Sequence, residues 1–580
     1  MKLILQYLGR LKGRLAWSMT LKFLGAMTEL LLPRILTHII DEVVPLGNLR
    51  TVILWGLFMV LVAGITAVLN IVANRAAVRN AKDVAFAVRQ DLFEKTIRLS
   101  GHRFDLFGLP SLTSRMTSDS YNIQQFAQTL QAMCVRAPFL MLGGILMMFS
   151  MDPVLASILV AIIIPLGFFI FFISRKGIPL FNVVQKKLDT LVRIMRENIT
   201  GIRVVKALSK KDYEEKRFDE ANEEMFRSNT RASTIMALPG PVMNICLNAG
   251  LALVVLVGAR RVNIGAMKPG VILGSLTYFN TILMSVMVLN RIFIMLSKAS
   301  ASADRIAAVL AAPEDLPVLP QEECLKPGGD ELIRVEHVNF RYQDVGEEAK
   351  KHNIRALKDI NFSIREGESL GIIGPTGCGK STILQLLLRF YDVQEGGVFI
   401  DGRDVRSYDK DTLRRYFGVV FQHDIIFNDT LGNNVDFGRD LPLSRIDEAV
   451  RDAMAAGFVY DEKGGLDYVA DIKGANLSGG QKQRMLVARS LAGRPRILIL
   501  DDSSSALDYR TDAALRKTLR EKYSDSTFIM IAQRVSSLKD MTHILVLRDG
   551  ETIGYGTHEE LMQSCPYYRD ICHAQMGALE

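Results

Sequence analysis

A glycine-rich segment at residues 374–381 limits the possible folds of this chain more than any other stretch. It reads Gly-Pro-Thr-Gly-Cys-Gly-Lys-Ser and fits the phosphate-binding pattern G-x-x-x-x-G-K-S/T. The apolar run 369–373 before it predicts a buried strand, and residues 382–388 after it predict a helix. In that context backbone N–H groups and the positive end of the helix surround phosphate oxygens, which a chance glycine-rich turn would not do. The segment therefore predicts a nucleotide-binding domain.

The same segment supplies the first predicted ligands of ATP and Mg²⁺. Lys380 is expected to reach the β- and γ-phosphates, and Ser381 is expected to hold Mg²⁺. The predicted nucleotide-binding residues of this loop are Gly374, Pro375, Thr376, Gly377, Cys378, Gly379, Lys380, Ser381 and Thr382.

The first half of the chain is apolar enough to enter a membrane. Of the 580 residues, 49% are hydrophobic, and these are concentrated before residue 300. Stretches with the length that a bilayer requires lie near residues 15–44, 51–75, 130–150, 154–175, 237–259 and 271–297. The long loops 76–129 and 176–236 are rich in Lys and Arg, so we expect these loops and both termini to be cytoplasmic. The sequence predicts a multi-pass protein of the cell (plasma or inner) membrane, in contact with the lipid bilayer.

The charge distribution argues for a membrane surface rather than nucleic acid as the partner of the basic residues. The formal net charge is +8, and the Lys and Arg residues of the first half crowd its long loops. Such loops are typical of the cytoplasmic side of a membrane protein. We predict no nucleic-acid partner.

A group of prolines marks the boundary between two domains. Helix cannot run through Pro313, Pro317, Pro320 and Pro327, and from Leu332 the pattern alternates short strands with helices. We predict a transmembrane domain at 1–312, a linker at 313–330 and a nucleotide-binding domain at 331–580. The expected fold class is a membrane α-helical domain of about six transmembrane helices with long cytoplasmic extensions, fused to an α/β nucleotide-binding domain.

Three further segments carry a resemblance to a known family. Residues 477–481 read Leu-Ser-Gly-Gly-Gln, residues 497–501 are an apolar run that ends in Asp501, and residues 505–508 read Ser-Ala-Leu-Asp. With the phosphate-binding loop, they resemble the signature loop, Walker B strand and D-loop of the ATP-binding-cassette (ABC) family. The whole chain resembles a half-transporter of the multidrug-exporter type, with one membrane domain and one cassette. The resemblance implies an ABC-type transport ATPase.

The resemblance also implies roles for single residues. Tyr342 matches the aromatic position that stacks on adenine, although a lone tyrosine is more often a packing residue. Gln422 matches the Q-loop glutamine, whose side chain contacts Mg²⁺ or the attacking water. Asp501 is expected to act on Mg²⁺ directly or through water, so the expected metal ligands are Ser381, Gln422 and Asp501.

The signature residues are expected to serve another chain. In the ABC family two cassettes meet head to tail, and each signature loop covers the nucleotide of its partner. Small residues let the backbone approach a γ-phosphate, and the helix that begins near Gln481 directs its positive end there. The residues expected to bind the partner's nucleotide are Ser478, Gly479, Gly480 and Gln481.

Two catalytic positions depart from the family pattern. Where the family has a glutamate as general base, this chain has Asp502, and where the family has a histidine, it has Gln533. Aspartate is one methylene shorter, and a misplacement of roughly 1 Å can cost on the order of 10²-fold in rate. Glutamine can hydrogen-bond a phosphate but carries no titratable proton near neutral pH. The interpretation is a site that binds ATP well and hydrolyses it poorly.

This pattern resembles the degenerate-site half of a heterodimeric exporter. It predicts ATP-driven export of a hydrophobic or amphipathic substrate together with a different half-transporter subunit. The alternatives are an ATP-gated channel or regulatory membrane protein on the same frame, and a homodimeric slow exporter of lipid or peptide. The spans argue against a cassette ATPase of DNA repair or translation. Small molecules, lipids and peptides all stay open as substrates.

The membrane domain offers weaker signals. Residues 104–107, 114–119 and 197–207 resemble the coupling segments of exporters, with a solvated helical hairpin as the alternative. Glu29 and Arg34 lie in mid-span, where charges usually face a cavity or a partner. Plentiful methionines suit a promiscuous apolar cavity, although any single one more often faces lipid or a neighbouring helix.

Overall fold

The chain forms two compact units. The structure is a computed structural model that describes residues 1–324, 331–342, 356–503 and 506–576. The first unit comprises residues 1–97 and 109–312, and the second comprises residues 98–108 and 313–580. The fold class predicted from the sequence is confirmed: a helical transmembrane domain precedes an α/β nucleotide-binding domain. The linker predicted at 313–330 falls partly outside the described residues.

The N-terminal part of the chain is entirely helical. Its helices are α1 (Lys2–Arg10), α2 (Lys12–His38), α3 (Leu49–Ile97), α4 (Gly101–Phe107), α5 (Leu109–Ser114), α6 (Ser120–Ala132), α7 (Arg136–Met151), α8 (Pro153–Thr200), α9 (Ile202–Ala207), α10 (Lys211–Ala237), α11 (Pro239–Asn263) and α12 (Pro269–Leu310). Short π-helical turns at Ile39–Val43 and Arg115–Asp119 extend α2 and connect α5 to α6.

The described residues contain six helical stretches that are long and apolar enough to cross a membrane. These are Lys12–Leu46, Leu49–Ile97, Leu109–Met151, Pro153–Thr200, Lys211–Asn263 and Pro269–Leu289. The six spans predicted from the sequence are thereby confirmed. Several of the helices run well past the thickness of a bilayer, which agrees with long extensions beyond it.

The surface of the first unit suits lipid rather than water. Large apolar side chains point outward along the spans; Val60 is 67% exposed, Leu146 70% and Phe168 72%. Soluble monomers rarely show contiguous apolar surface of this kind. In a bilayer the same surface is stable, because the helices satisfy their backbone hydrogen bonds internally.

Close helix packing holds the first unit together. Tyr278 and Phe279 on α12 are fully buried, and the Tyr278 hydroxyl donates to the Leu30 carbonyl of α2 at 2.5 Å. Gly250 on α11 faces Phe279, and a Cβ atom at this glycine would lie 2.1 Å from Phe279 Cζ. Small residues at such contacts allow the helix backbones to approach one another.

Three charged side chains of the spans, Lys22, Glu29 and Arg136, have polar partners within the unit. Arg136 Nη2 lies 2.6 Å from Glu29 Oε1, and Lys22 Nζ donates to Asn70 Oδ1 at 2.8 Å and to Asn74 Oδ1 at 2.9 Å. Arg34 is exposed. Pairing compensates part of the cost of a charge in an apolar region, so Glu29 serves at least a structural role.

The second unit contains two sheets and short helices. Its strands are β1 (Ile333–Phe340), β2 (Leu357–Ile364), β3 (Ser369–Ile373), β4 (Glu395–Ile400), β5 (Arg403–Asp404), β6 (Phe417–Val420), β7 (Ile497–Asp501), β8 (Thr527–Ile531), β9 (His543–Arg548) and β10 (Glu551–Gly556). Its further helices are α13 (Lys380–Leu387), α14 (Lys410–Arg414), α15 (Leu431–Asp436), α16 (Leu443–Asp452), α17 (Gly479–Ala492), α18 (Tyr509–Lys522), α19 (His558–Ser564) and α20 (Pro566–Met576).

The order of the strands places the functional loops. The larger sheet has the order β10-β9-β3-β8-β7-β6, in which β9, β3, β8, β7 and β6 are parallel. The smaller sheet is antiparallel, with the order β2-β1-β4-β5. In parallel sheets, ligands bind at the edge where the strands' carboxyl ends meet. The loops after β3, β6, β7 and β8 therefore share one edge.

One helix that lies between α3 and α5 in the sequence belongs to the second unit. This helix, α4, is capped by the Ser100 hydroxyl, which accepts a hydrogen bond from the Arg103 N–H. A Cβ atom at Gly101 would lie 3.2 Å from Phe390 Cβ, and the Tyr391 hydroxyl donates to the Asp105 carboxylate. Of the predicted coupling segments, residues 104–107 therefore lie on the cassette, whereas residues 114–119 belong to the first unit.

Candidate nucleotide site

The phosphate-binding loop leaves β3 and enters α13 under tight steric limits. A Cβ atom at Gly374 would lie 2.2 Å from the Leu547 carbonyl oxygen, so no larger residue fits there without movement. Gly379 has φ +101°, and a Cβ atom there would meet Leu357 Cδ2 at 2.5 Å. Backbone that is this close and left-handed favours glycine. These two positions explain why the loop needs its first and last glycines.

The predicted residues of several loops meet in one cavity of about 510 Å³. It is lined by Tyr342, Ala356, Thr376, Gly377, Gly379, Lys380, Ser381, Thr382, Gln422, Asp501, Asp502, Ile531, Ala532 and Gln533. Three loop residues predicted as ligands, Gly374, Pro375 and Cys378, do not line it. The Cys378 side chain is 3% exposed and packs in the cassette core, where burial raises the pKa of its thiol.

The loop lysine is held by its own loop. Lys380 Nζ donates to the carbonyl of Gly374 at 2.9 Å and to the carbonyl of Pro375 at 2.8 Å. These bonds keep a positive charge within the loop at the start of α13, whose N-terminus adds a further favourable field for phosphate. The contact of Lys380 with the β- and γ-phosphates stays a prediction.

A hydroxyl and a carboxylate form the candidate Mg²⁺ position. Ser381 Oγ donates to Asp501 Oδ2 at 3.0 Å, and Asp501 is 4% exposed at the end of β7. Burial raises the pKa of Asp501, the neighbouring Asp502 raises it further, and the Ser381 hydrogen bond opposes this change. Oxygen donors such as these, completed by phosphate oxygens, are the ligand set that Mg²⁺ prefers. Gln422 lines the same cavity and could add its amide oxygen.

The two residues that depart from the family pattern contact each other. Gln533 Nε2 donates to Asp502 Oδ2 at 3.2 Å. The Asp502 backbone has φ +49°, and its N–H donates to the Ile531 carbonyl at 3.0 Å, which ties the end of β7 to the end of β8. The carbonyl of Gln533 in turn accepts from Gln575 Nε2 at 2.8 Å. The side-chain amide of Gln533 therefore occupies one oxygen of the carboxylate beside the metal position.

The aromatic residue at the mouth of the cavity is anchored to α13. The Tyr342 hydroxyl donates to Gln385 Oε1 at 2.7 Å and lies 3.1 Å from Thr382 Oγ1. Its ring is 38% exposed and meets the Tyr391 ring edge-on, with centroids 5.3 Å apart. Burial of part of the ring raises the pKa of Tyr342. The ring is thus partly exposed at the cavity, and its contact with adenine stays a prediction.

The sequence analysis missed Gln385 and Tyr391. Gln385 lies one helical turn after Thr382 on α13, so its position on the same helix face could have been read from the spacing. Tyr391 follows the end of α13, and no local pattern connects it with residue 105.

The signature residues lie outside the cavity. The Ser478 hydroxyl accepts a hydrogen bond from the Gln481 N–H, and Gln481 Oε1 accepts one from the Ser478 N–H, which together form a capping box at the start of α17. The helix begins at Gly479, slightly before the predicted start near Gln481. Gly479 and Gly480 pack beside Ala506, and a Cβ atom at Gly480 would lie 3.1 Å from the carbonyl oxygen of Ala506. Ser478 and Gly479 are exposed.

Comparison with known proteins agrees with this geometry. Residues 15–286 match the family profile described as the ABC transporter transmembrane region, and residues 357–505 match the one described as ABC transporter. An uncharacterized ABC transporter ATP-binding protein of Mycobacterium tuberculosis is 32% identical over 577 residues, 99% of this chain and 98% of its own length. The uncharacterized ABC transporter ATP-binding protein YfiB of Bacillus subtilis is 31% identical, with 95% of this chain and 94% of its own length covered.

A solved structure shares the overall fold. A bacterial Atm1-family ABC exporter with ATP bound superposes with a TM-score of 0.81 at 23% identity, over 97% of this chain and 99% of that one. Membrane domain and cassette are therefore joined in the same order as in that exporter. The chain belongs to the ABC transporter family, as a multi-pass membrane half-transporter with the exporter fold whose cassette couples ATP hydrolysis to transport.

Proposed function

We propose that this chain is one half of a heterodimeric exporter of hydrophobic or amphipathic substrates. Its own ATP site is weakly hydrolytic, and its signature loop completes the active site of a different half-transporter. The observation that carries the proposal is the contact between Asp502 and Gln533 inside the nucleotide cavity. In the family pattern these two positions hold the general base and a group that supports the γ-phosphate.

The binding half of the machinery supports retention of Mg-ATP. Lys380 and Ser381 lie in the loop, Asp501 bonds to Ser381, and Tyr342 is partly exposed in the lining of the cavity. In the proposed complex these groups contact the phosphates of ATP, the Mg²⁺ ion and the adenine ring before hydrolysis begins. Because they are all present together, affinity for ATP does not depend on the two altered positions.

The two residues at the hydrolytic positions are poorly suited to catalysis. The Asp502 side chain is one methylene shorter than that of glutamate, so its carboxylate lies roughly 1 Å farther from an attacking water. A displacement of this size slows reactions on the order of 10²-fold. The Gln533 amide donates to one of its oxygens and has no proton to exchange near neutral pH. The two changes act in the same direction, which favours a shared cause over independent drift.

The signature loop supports a role in another chain's site. Its capping box presents the N-terminus of α17 on an exposed surface, outside the cavity of its own chain. The free N–H groups of such a helix end attract phosphate. A partner with a glutamate base and a histidine would then hold the competent ATP site, closed by Ser478 to Gln481 of this chain.

Co-expression tests the proposal directly. This chain is produced with two different affinity tags and, separately, with a candidate half-transporter that carries the glutamate and the histidine. We expect the mixed pair to co-purify and to accumulate substrate in inverted vesicles in an ATP-dependent way. A stable homodimer that transports at the full rate without any partner would refute the heterodimer, and ATP-dependent conductance without accumulation would favour the channel alternative.

A further inference from the structure

A second large cavity, of about 770 Å³, lies within the first unit. Asn122 and Gln125 of α6 form one wall, and residues 236–240, where α10 meets α11, form another. The third wall is on α12 and consists of Met287, Val288, Arg291, Met295 and Lys298. The walls on α6 and at the junction of α10 with α11 adjoin the long basic loops, and the α12 wall lies toward the predicted linker. In the predicted topology all three are on the cytoplasmic side.

The cavity carries positive charge that the described protein does not neutralise. Arg291 and Lys298 lie about two turns apart on α12, so they project from one face of the helix. Both side chains are exposed. Among the described residues, neither forms an ion pair, and no aspartate or glutamate lines the cavity.

Some other cations of the same unit have acidic partners. Arg136 pairs with Glu29 at 2.6 Å, Arg261 Nη2 lies 3.0 Å from Asp152 Oδ2, and Arg305 pairs with Asp119. Arg291 and Lys298 follow the apolar span Pro269–Leu289 on α12 and line one cavity without an acidic residue among the described lining. A cavity lined by charges of one sign concentrates ligands of the opposite sign. Arg291 and Lys298 therefore call for an anionic ligand.

The remaining wall is apolar and adaptable. Met236, Met287 and Met295 line the cavity, and Thr129 Oγ1 donates to Met295 Sδ at 3.4 Å. Methionine side chains are flexible and polarizable, so they accommodate apolar bodies of different shape. A cavity with cations at one position and thioethers around it suits a ligand that has one charged end and one apolar end.

We propose that this cavity binds an amphipathic anion: a molecule with a carboxylate, sulfonate or phosphate group and an apolar body. The anionic group lies against Arg291 and Lys298, and the apolar body lies against the methionines. A lipophilic cation is excluded, because it would add a third positive charge to a site that has no carboxylate. The proposal rests on the export function proposed above and names the chemical class of its substrate.

The test compares two probes that share one apolar body. Pyrenebutyrate and its trimethylammonium counterpart are titrated into the full transporter in phosphatidylcholine vesicles without nucleotide, and pyrene fluorescence reports binding. The wild type is expected to bind the anion and not the cation. Arg291→Gln with Lys298→Gln should weaken anion binding about tenfold or more, since both charged hydrogen-bond donors to the anion are lost. Arg260→Gln, an exposed arginine near the other end of α11, should leave it unchanged.

A charge reversal keeps the test decisive if affinity falls through misfolding. Arg291→Glu with Lys298→Glu should bind the cationic probe better than the anionic one, a gain that unfolding cannot produce. Equal binding of both probes to the wild type, or wild-type anion affinity in the double glutamine variant, would overturn the proposal. Competition by added phosphatidylglycerol would identify a lipid as the anion, and its absence would identify a non-lipid anion.

Binding without nucleotide also separates this proposal from the export function. If the cation binds and is accumulated in an ATP-dependent way, the anionic class fails and export stands. If the anion binds but nothing is accumulated, the cavity assignment stands and export fails.

Discussion

The hydroxyl of Tyr391 donates a hydrogen bond to the carboxylate of Asp105, across 286 residues of sequence. Asp105 belongs to α4, which lies between two membrane-domain helices in the chain but packs with the cassette. Tyr391 also meets the ring of Tyr342, the candidate adenine contact, at 5.3 Å between centroids. Two contacts thus connect the nucleotide cavity to a helix from the first long loop of the chain.

Removing the hydroxyl of Tyr391 should uncouple hydrolysis from transport. Tyr391→Phe keeps the ring contact with Tyr342 and loses only the bond to Asp105, so we expect ATPase activity to persist while transport per ATP falls. Asp105→Asn should act alike, and the double variant should be no worse than either, because both remove one interaction. Hydrolysis and accumulation are measured in parallel in proteoliposomes.

A matched tyrosine provides the control. The Tyr416 hydroxyl donates to Asp401 Oδ2 at 2.8 Å within the cassette, away from α4. Tyr416→Phe should leave the ratio of transport to hydrolysis unchanged. If Tyr391→Phe lowered transport and hydrolysis in equal proportion, the bond to Asp105 would have no part in coupling.

Ser478→Ala should abolish most ATP hydrolysis of the assembled transporter. The serine lies outside its own chain's cavity, and the expected loss, about tenfold or more, comes from a missing hydrogen bond to the partner's charged phosphate, worth about 1.5–3 kcal/mol. Steady-state ATPase activity is the measurement.

The capping role of Ser478 needs its own control. Thr557 forms the same kind of capping box with Glu560 at the start of α19. Thr557→Ala removes a cap worth about 0.5–2 kcal/mol of stability but should keep hydrolysis intact. Full turnover in the Ser478→Ala transporter would show that the active site lies elsewhere.

Asp502→Asn should lower total ATPase activity only slightly. The site of this chain contributes little turnover if Asp502 and Gln533 are poor catalysts, whereas a Glu→Gln change at the matching position of the partner should nearly silence the transporter. Radiolabelled ATP retained per dimer should stay high in both variants. Equal losses from the two changes would make the sites equivalent and contradict the degenerate-site proposal.

Restoring the family residues should add hydrolysis. Asp502→Glu with Gln533→His supplies a longer base and a titratable group at the end of β8. We expect the label retained per dimer to fall in this variant as the second site turns over. Gln533→His alone should have a smaller effect, because the base stays short.

The ring of Tyr342 should matter more than its hydroxyl for ATP affinity. Tyr342→Ala removes a stacking surface worth about 1–3 kcal/mol per base, whereas Tyr342→Phe removes only the bonds to Gln385 and Thr382. Equilibrium binding of a fluorescent ATP analogue distinguishes them. An alanine variant that binds as tightly as the wild type would make Tyr342 a packing residue.

Gly250→Leu should destabilise the membrane domain. A Cβ atom at this position would already lie 2.1 Å from Phe279 Cζ, so the larger side chain must push α11 and α12 apart. A Cβ atom at Gly167 on α8 would have no other atom within 4 Å, so Gly167→Leu is the matched control. Thermal unfolding in detergent should show a lower Tm for the first variant only.

Local patterns were enough to predict the parts of this protein. The spacing of Gly374, Gly379, Lys380 and Ser381 predicted the phosphate-binding loop, because a short loop between strand and helix is specified by its own residues. The spans followed from the length of apolar stretches, because a bilayer imposes that length on any helix that crosses it. The departures at Asp502 and Gln533 were visible because the chain resembles a family that has a glutamate and a histidine at these positions.

The tertiary structure decided which of these parts meet. Gln422, Asp502 and Gln533 line one cavity because β3, β8, β7 and β6 are neighbours in the sheet, and strand order depends on packing over the whole domain. It also directed Cys378 into the core, away from the cavity that its motif predicts. Cys378 does not line the cavity because its side chain points into the core, and the spacing of residues in the motif does not determine that direction.

Contacts between distant segments were beyond the sequence for the same reason. The bond between Asp105 and Tyr391, and the cavity that joins Gln125, Met236 and Arg291, unite residues from separate helices. Sequence periodicity reports which face of a helix is apolar but not which other helix covers it. By itself the sequence determined the two domains, their spans and the phosphate-binding loop. Only the packing of the helices decided which charged side chains have partners of opposite charge, because such pairing depends on the distance between side chains.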